Sequence, residues 1–377
     1  MADDIWHYPR TAFTHDIFVA LTQGPGAALS LFGPRRTGKT QFLLYDLGAH
    51  AEGKYRHKVV YASFWASPSP LNALLYALHE ALSPKTLAQR AGKFIGGAMP
   101  SKVRLEGPKG TAIELDLTNT DASAEDFTTR LTLLDHYLGR LANPKRPTLL
   151  LLDEFQEIAA APDAKDLMAA LRTGLDTRKD GLRSLFTGSS QNRLQQIFSA
   201  REAPFFRFAT PISLPDLTED FVVHQLDVFA KTFHRKLDPE IAQSFFARFG
   251  GNPMIFRTWL VTLGTQRHLS EQEAMTQAEA SLAATLDFDR IWITDLKATH
   301  RIWARLIAER TSQITGQAGA DRYEALTGKP APTPQSRQSL IRKLERDGLV
   351  DNFDGERRIA DPLFERFVLD RDAAEFT

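Results

Sequence analysis

An α/β sandwich on a parallel sheet, followed by a helical segment and a small C-terminal unit, is the fold this sequence predicts, and three observations carry it. Apolar runs of strand length alternate with helix-compatible stretches up to about residue 215. The loop Gly33-Pro34-Arg35-Arg36-Thr37-Gly38-Lys39-Thr40 joins the first run to the first helical stretch. From about Asp216 helical spacing takes over, until a hairpin signal near the end. At 377 residues the chain is too long for one core, so three domains are expected, over 1–215, 216–295 and 296–377.

The elements follow in order. Ala27 to Phe32 is a short apolar strand candidate closed by Gly33-Pro34, and Gln41 to Leu47 suits a helix. Lys58 to Trp65 is a second buried strand candidate, followed by a helix over Leu71–Leu78. Around Gly107-Pro108-Lys109-Gly110 the alternation of 103–117 reads as an inserted β-hairpin. A helix near Ala124–Leu141, a strand Thr148–Leu152, a helix Asp163–Thr173 stopped by Gly174 and a strand Ser184–Thr187 complete the first domain. Strands separated by helices imply a parallel sheet covered on both faces. Phe221–Phe233, Ile241–Leu263 and Glu271–Thr285 are helical in pattern. Beyond them Ile302–Glu309, Ala320–Leu326 and Gln335–Arg346 precede Asp354-Gly355, which sits between two strand-like runs. Helix, helix, helix, hairpin is the order of a winged helix.

Gly-x₄-Gly-Lys-Thr is the P-loop pattern, expected by chance in about one such chain in a hundred. Its chemistry needs this context, because backbone N–H groups and a helix N-terminus must converge on phosphate. Gly33, Pro34, Arg35, Arg36, Thr37, Gly38, Lys39, Thr40 and Gln41 are the expected nucleotide-binding stretch. Within it Lys39 reaches the β- and γ-phosphates and Thr40 offers its hydroxyl to Mg²⁺. Asp153 and Glu154 end a strand of four leucines, so both carboxylates emerge at the carboxyl edge of the sheet. Asp153 is the expected Mg²⁺ ligand and Glu154 the residue that polarises attacking water. After the strand ending at Thr187, the polar residues Thr187, Ser189 and Ser190 are the candidates to contact the γ-phosphate, and the sequence does not choose among them. No Asn-Lys-x-Asp guanine motif follows, so ATP is expected rather than GTP.

Composition narrows the rest. The chain lacks cysteine, which excludes disulfides, thiolate metal sites and thiol catalysis and fits a reducing cytoplasm. Its start has no signal-peptide pattern, and no apolar run reaches the roughly 20 residues of a membrane helix. A cytoplasmic protein without a membrane partner is expected. Lys+Arg and Asp+Glu both count 46, so any nucleic-acid contact must come from a local patch.

Together with the P-loop, the segments Leu152-Asp153-Glu154-Phe155-Gln156, Phe186 to Ser190, Ala203-Pro204-Phe205-Phe206-Arg207, Gly250-Gly251-Asn252-Pro253 and Asp361-Pro362-Leu363-Phe364 resemble those of the archaeal-type AAA+/STAND-like ATPases of prokaryotes. The resemblance runs through nearly the whole chain and implies a nucleotide domain, a helical lid and a C-terminal winged helix. It makes Arg207 a candidate arginine finger or switch arginine, places Pro253 near adenine and gives Arg257 a weaker sensor-like role. The chain lacks the large C-terminal repeat array of many STAND switches.

The expected function is an ATP-hydrolysing switch acting through the winged helix. On the helix over 335–346, Leu340, Ile341 and Leu344 are the expected buried stripe, leaving Arg342 and Arg346 on the face that could meet duplex DNA. Partners left open are duplex DNA, a protein client and further copies of the chain. The alternatives are an origin-recognition-like DNA-binding module with nucleotide as a structural ligand, and an interaction scaffold of a toxin or defence system.

Overall fold

The computed structural model describes residues 4–34, 36–83, 85–95, 100–116, 124–188, 191–285, 287–353 and 356–372. They fall into two compact units, one of 1–33, 38–189 and 193–215, the other of 34–37, 190–192 and 216–377.

The first unit carries the sheet. In chain order its elements are α1 (Thr11–Thr22), β1 (Ala28–Phe32), α2 (Lys39–Gln41), β2 (Val59–Ser63), α3 (Pro70–Ala81), α4 (Leu87–Ile95), β3 (Lys102–Glu106), β4 (Ala112–Asp116), α5 (Ala124–Leu141), β5 (Thr148–Asp153), α6 (Ala164–Asp176), β6 (Leu182–Thr187), α7 (Gln191–Ser199) and β7 (Thr210–Ser213). Wide helical turns continue α2 through Phe42–Gly48 and His50–Lys54. Five strands form one parallel sheet in the order β2-β5-β6-β1-β7.

Physical reasons for this order are visible in the residues. Leu149 to Leu152 are fully buried, as a strand covered on both faces requires. Each such leucine contributes about 1.5–3 kcal/mol relative to exposure, which anchors the strand ending in Asp153. Ser69 starts α3, its hydroxyl accepting from Asn72 N with Pro70 in the first turn. The hairpin forms between β3 and β4, pairing Val103 with Leu115.

Gly174 does not stop its helix, contrary to the sequence expectation, because α6 runs on to Asp176. A Cβ at Gly174 would lie 2.5 Å from Leu138 Cδ1 on α5. The glycine lets two helices approach closely, and that packing outweighs its low helix propensity.

The second unit contains α8 (Glu219–Phe233), α9 (Pro239–Arg248), α10 (Pro253–Thr265), α11 (Glu271–Thr285), α12 (Phe288–Arg290), α13 (Ala298–Ala308), α14 (Gln317–Thr327), α15 (Pro334–Arg346), β8 (Val350–Phe353), β9 (Glu356–Ile359) and α16 (Pro362–Leu369). Expected as one helical stretch, 241–263 is two helices. Gly250 and Gly251, at φ 59° and 72°, take left-handed backbone that ends α9. Phe221, Phe245, Phe246, Phe256 and Trp259 pack together inside α8–α10. Further on, three helices precede the antiparallel pair β8–β9; Asp354 and Gly355 between them lie outside the described residues. Arg305 Nη1 on α13 donates to the carbonyls of Val368, Leu369 and Arg371 at 2.9, 2.8 and 3.2 Å, closing the end of α16. Among the described residues no helix is long and apolar enough to cross a membrane.

Candidate nucleotide site

β1 lies between β6 and β7, and β6 separates it from β5. The loop after β1 therefore opens at the same sheet edge as the ends of β5 and β6. Gly38 adopts φ 93°, the left-handed backbone that favours glycine, immediately before Lys39 starts α2. Lys39 is buried and its Nζ donates to the Gly33 carbonyl at 2.8 Å, across the loop.

Asp153 is the meeting point. Its side chain accepts on Oδ2 from the Thr40 hydroxyl at 2.7 Å and from the Tyr61 hydroxyl at 3.0 Å. On Oδ1 it accepts from the Thr187 hydroxyl at 2.5 Å and from Glu154 N at 3.1 Å. Four donors from the P-loop helix, β2, β6 and its own strand end thus fix both oxygens of a carboxylate that is 2% exposed. Burial, and then the negative charge of Asp153, push the Tyr61 phenol far above its usual range, so it stays a neutral donor.

Glu154 follows with φ 55° and ψ 40°, a left-handed conformation uncommon for a residue with a side chain. Its carboxylate is buried and accepts from Gln156 Nε2 at 2.6 Å. The same amide nitrogen donates to Glu157 Oε1 at 3.2 Å.

The other expected residues are distributed as follows. Gln41 ends α2 and is half-buried. In the segment grouped with the second unit, the Thr37 hydroxyl donates to the Pro34 carbonyl at 2.8 Å, and Arg36 pairs with Asp361 at 2.8 Å. Arg35, Ser189 and Ser190 lie outside the described residues. Arg207 is exposed, has φ 53°, and hydrogen-bonds through its N–H to the Phe198 carbonyl at 2.9 Å. Arg172 holds the segment around it, donating to the Pro204 and Phe206 carbonyls at 2.7 and 3.2 Å and lying 4.7 Å from the Phe208 ring centre. In the second unit Pro253 takes the first turn of α10, where Asn252 Oδ1 accepts from Met254 N and Ile255 N. Arg257 Nε donates to Gln225 Oε1 at 3.3 Å.

Sequence reasoning missed Tyr61 and gave Gln156 no role. Tyr61 faces Asp153 because β2 pairs with β5, register Ser63 opposite Asp153, and strand order is not written in local sequence. Gln156 stands two residues after Glu154, a signal that was on the page.

The fold is similar to that of solved ATPases. The Walker-type ATPase PABY2304 of Pyrococcus abyssi superimposes with a TM-score of 0.65 at 17% identity, covering 97% of each chain. The ADP form of the Aeropyrum pernix ORC2 protein gives 0.53 at 19% identity, covering 95% of this chain and 90% of that one. The same protein in its ADPNP-ADP complexes gives 0.55 at 16% identity, covering 97% and 96%. No family model matches the chain, and no curated protein matches its sequence. At these identities the likeness speaks for the fold: an α/β P-loop NTPase fold with a helical C-terminal region.

Proposed function

We propose that the chain is an ATP-binding and ATP-hydrolysing molecular switch of AAA+/STAND-like type, whose nucleotide state controls a winged helix formed by α13–α15 and β8–β9. The observation that carries this reading is the convergence on Asp153 of hydroxyls from the P-loop helix, β2 and β6. The donor set suits Mg²⁺, since the Thr40 hydroxyl and Asp153 carboxylate are hard oxygens 2.7 Å apart. Mg²⁺ typically takes one or two protein oxygens and completes its shell with phosphate and water. Bound there with nucleotide, it would neutralise phosphate charge.

The chain's own residues do the rest. Lys39 turns from the Gly33 carbonyl to the β,γ-phosphates, and the backbone from Gly33 to Gln41 wraps them. Glu154 accepts the proton of the attacking water. Thr187 is committed to Asp153, so we assign the γ-phosphate contact to Ser189. Arg207, exposed and held by its backbone, is our arginine finger, supplied to its own site or to that of a second copy. Pro253 is assigned to the adenine side by the resemblance above. ADP as product, and a cytoplasmic location, belong to the same reading.

Lysine truncation tests it. Lys39→Ala should weaken ATP binding by about 2 kcal/mol or more, some 30-fold, in a direct titration. Unchanged affinity would remove the site.

A duplex-DNA client is favoured over a protein client by one feature of α15. Arg342 and Arg346 are exposed and form no ion pair among the described residues, whereas Lys343, Arg357 and Arg358 pair with Asp347, Glu345 and Glu356, each at 2.8 Å. Unpaired guanidinium groups on one helix face suit phosphate contact.

A further inference from the structure

We infer that Gln156 is a positioning residue for ATP hydrolysis, holding the carboxylate of Glu154 in place and itself set by the backbone at Gly188, at the end of β6. The inference rests on the reading of Glu154 as general base.

Three observations within the first unit carry it. Gln156 is 4% exposed and Glu154 8%, so the amide and the carboxylate meet where water competes little. The bond between them is short, 2.6 Å from Nε2 to Oε2, as expected where the acceptor is ionised. The far end of the amide is boxed in: a Cβ added at Gly188 would overlap Gln156 Oε1 and come within 3.2 Å of Gln156 Cδ. One end of this side chain therefore grips Glu154 while the other rests on the strand that also delivers Thr187 to Asp153.

The geometry has a chemical consequence. Glu154 sits on left-handed backbone directly after a strand, so its side-chain direction is not fixed by a regular element. A single amide bridging Glu154 and Glu157 supplies that direction. The glycine is required for space: Gly188 is not among the positive-φ residues, so alanine fits its backbone but not the room beside Gln156.

The test uses the full chain with Mg²⁺ and ATP, comparing wild type, Gln156→Leu, Gly188→Ala and Glu154→Gln. Gln156→Leu keeps the bulk and removes the donor. Turnover should fall about tenfold or more with ATP affinity within twofold of wild type, a loss confined to the chemical step. Gly188→Ala, which alters no polar side chain, should lower turnover in the same way at retained ATP affinity and covers the case in which Gln156→Leu fails to fold. Wild-type or raised turnover in both variants, with Glu154→Gln inactive, overturns the role of Gln156 and leaves the general base standing. A slower enzyme whose ATP affinity falls in step also overturns it, since a structural defect would do that. A wild-type rate in Glu154→Gln overturns the general-base reading, and this inference with it.

Discussion

Asp153 shows how a buried carboxylate is made tolerable. It is nearly inaccessible, and isolated burial of a carboxylate would be prohibitive, yet four donors surround it. Tyr61→Phe removes one of them and leaves the ring in place. Hydrogen bonds to charged groups contribute about 1.5–3 kcal/mol, so urea unfolding should show a loss of that size. Unchanged stability would mean the phenol is dispensable. The pH sign follows from its raised pKa: a group favoured neutral in the fold contributes fully below its ordinary value of 10.0 and loses that contribution as pH climbs above it. Tyr61→Phe should therefore weaken the alkaline loss of stability. At this scale the sequence was half informative. Thr40, Asp153 and Glu154 announce themselves by motif and by the leucine run before them. Tyr61 and Gln156 act through strand pairing and a local turn, which no spacing rule encodes.

Elements were more legible where periodicity was long and less so where tertiary packing decided. The strand Thr148–Asp153 and helix Pro334–Arg346 follow from pattern and caps. β7 was missed because Thr210-Pro211-Ile212-Ser213 is a short edge strand with two exposed polar residues and an exposed proline, as edges allow. α1 was missed although Thr14, Ile17, Phe18 and Leu21 are buried at the i, i+3, i+4, i+7 spacing of one helix face. On α15 the buried set is Arg337, Ile341 and Leu344, with Leu340 half-exposed; Arg337 reaches inward to donate to the Gly316 carbonyl. The opposite face still presents Arg342 and Arg346. Arg342→Glu with Arg346→Glu should weaken duplex binding and make the log–log salt dependence shallower by about two, at roughly 0.9 per lost phosphate contact. Duplex binding equal to wild type would move the client from DNA to protein.

For the whole molecule, the chain divides into two compact units, one carrying the parallel sheet and the other the helices and the β8–β9 pair. The fold-level expectation of an α/β P-loop NTPase fold with a helical C-terminal region agrees with the solved structures it resembles. What the molecule does with nucleotide is the central claim, and it depends on Glu154 being the base rather than a structural acid. Steady-state ATP turnover of Glu154→Gln beside wild type, with ATP affinity measured on the same samples, tests this most directly. The account predicts retained affinity and turnover lower by about 10²–10⁴-fold; turnover at the wild-type rate would contradict it.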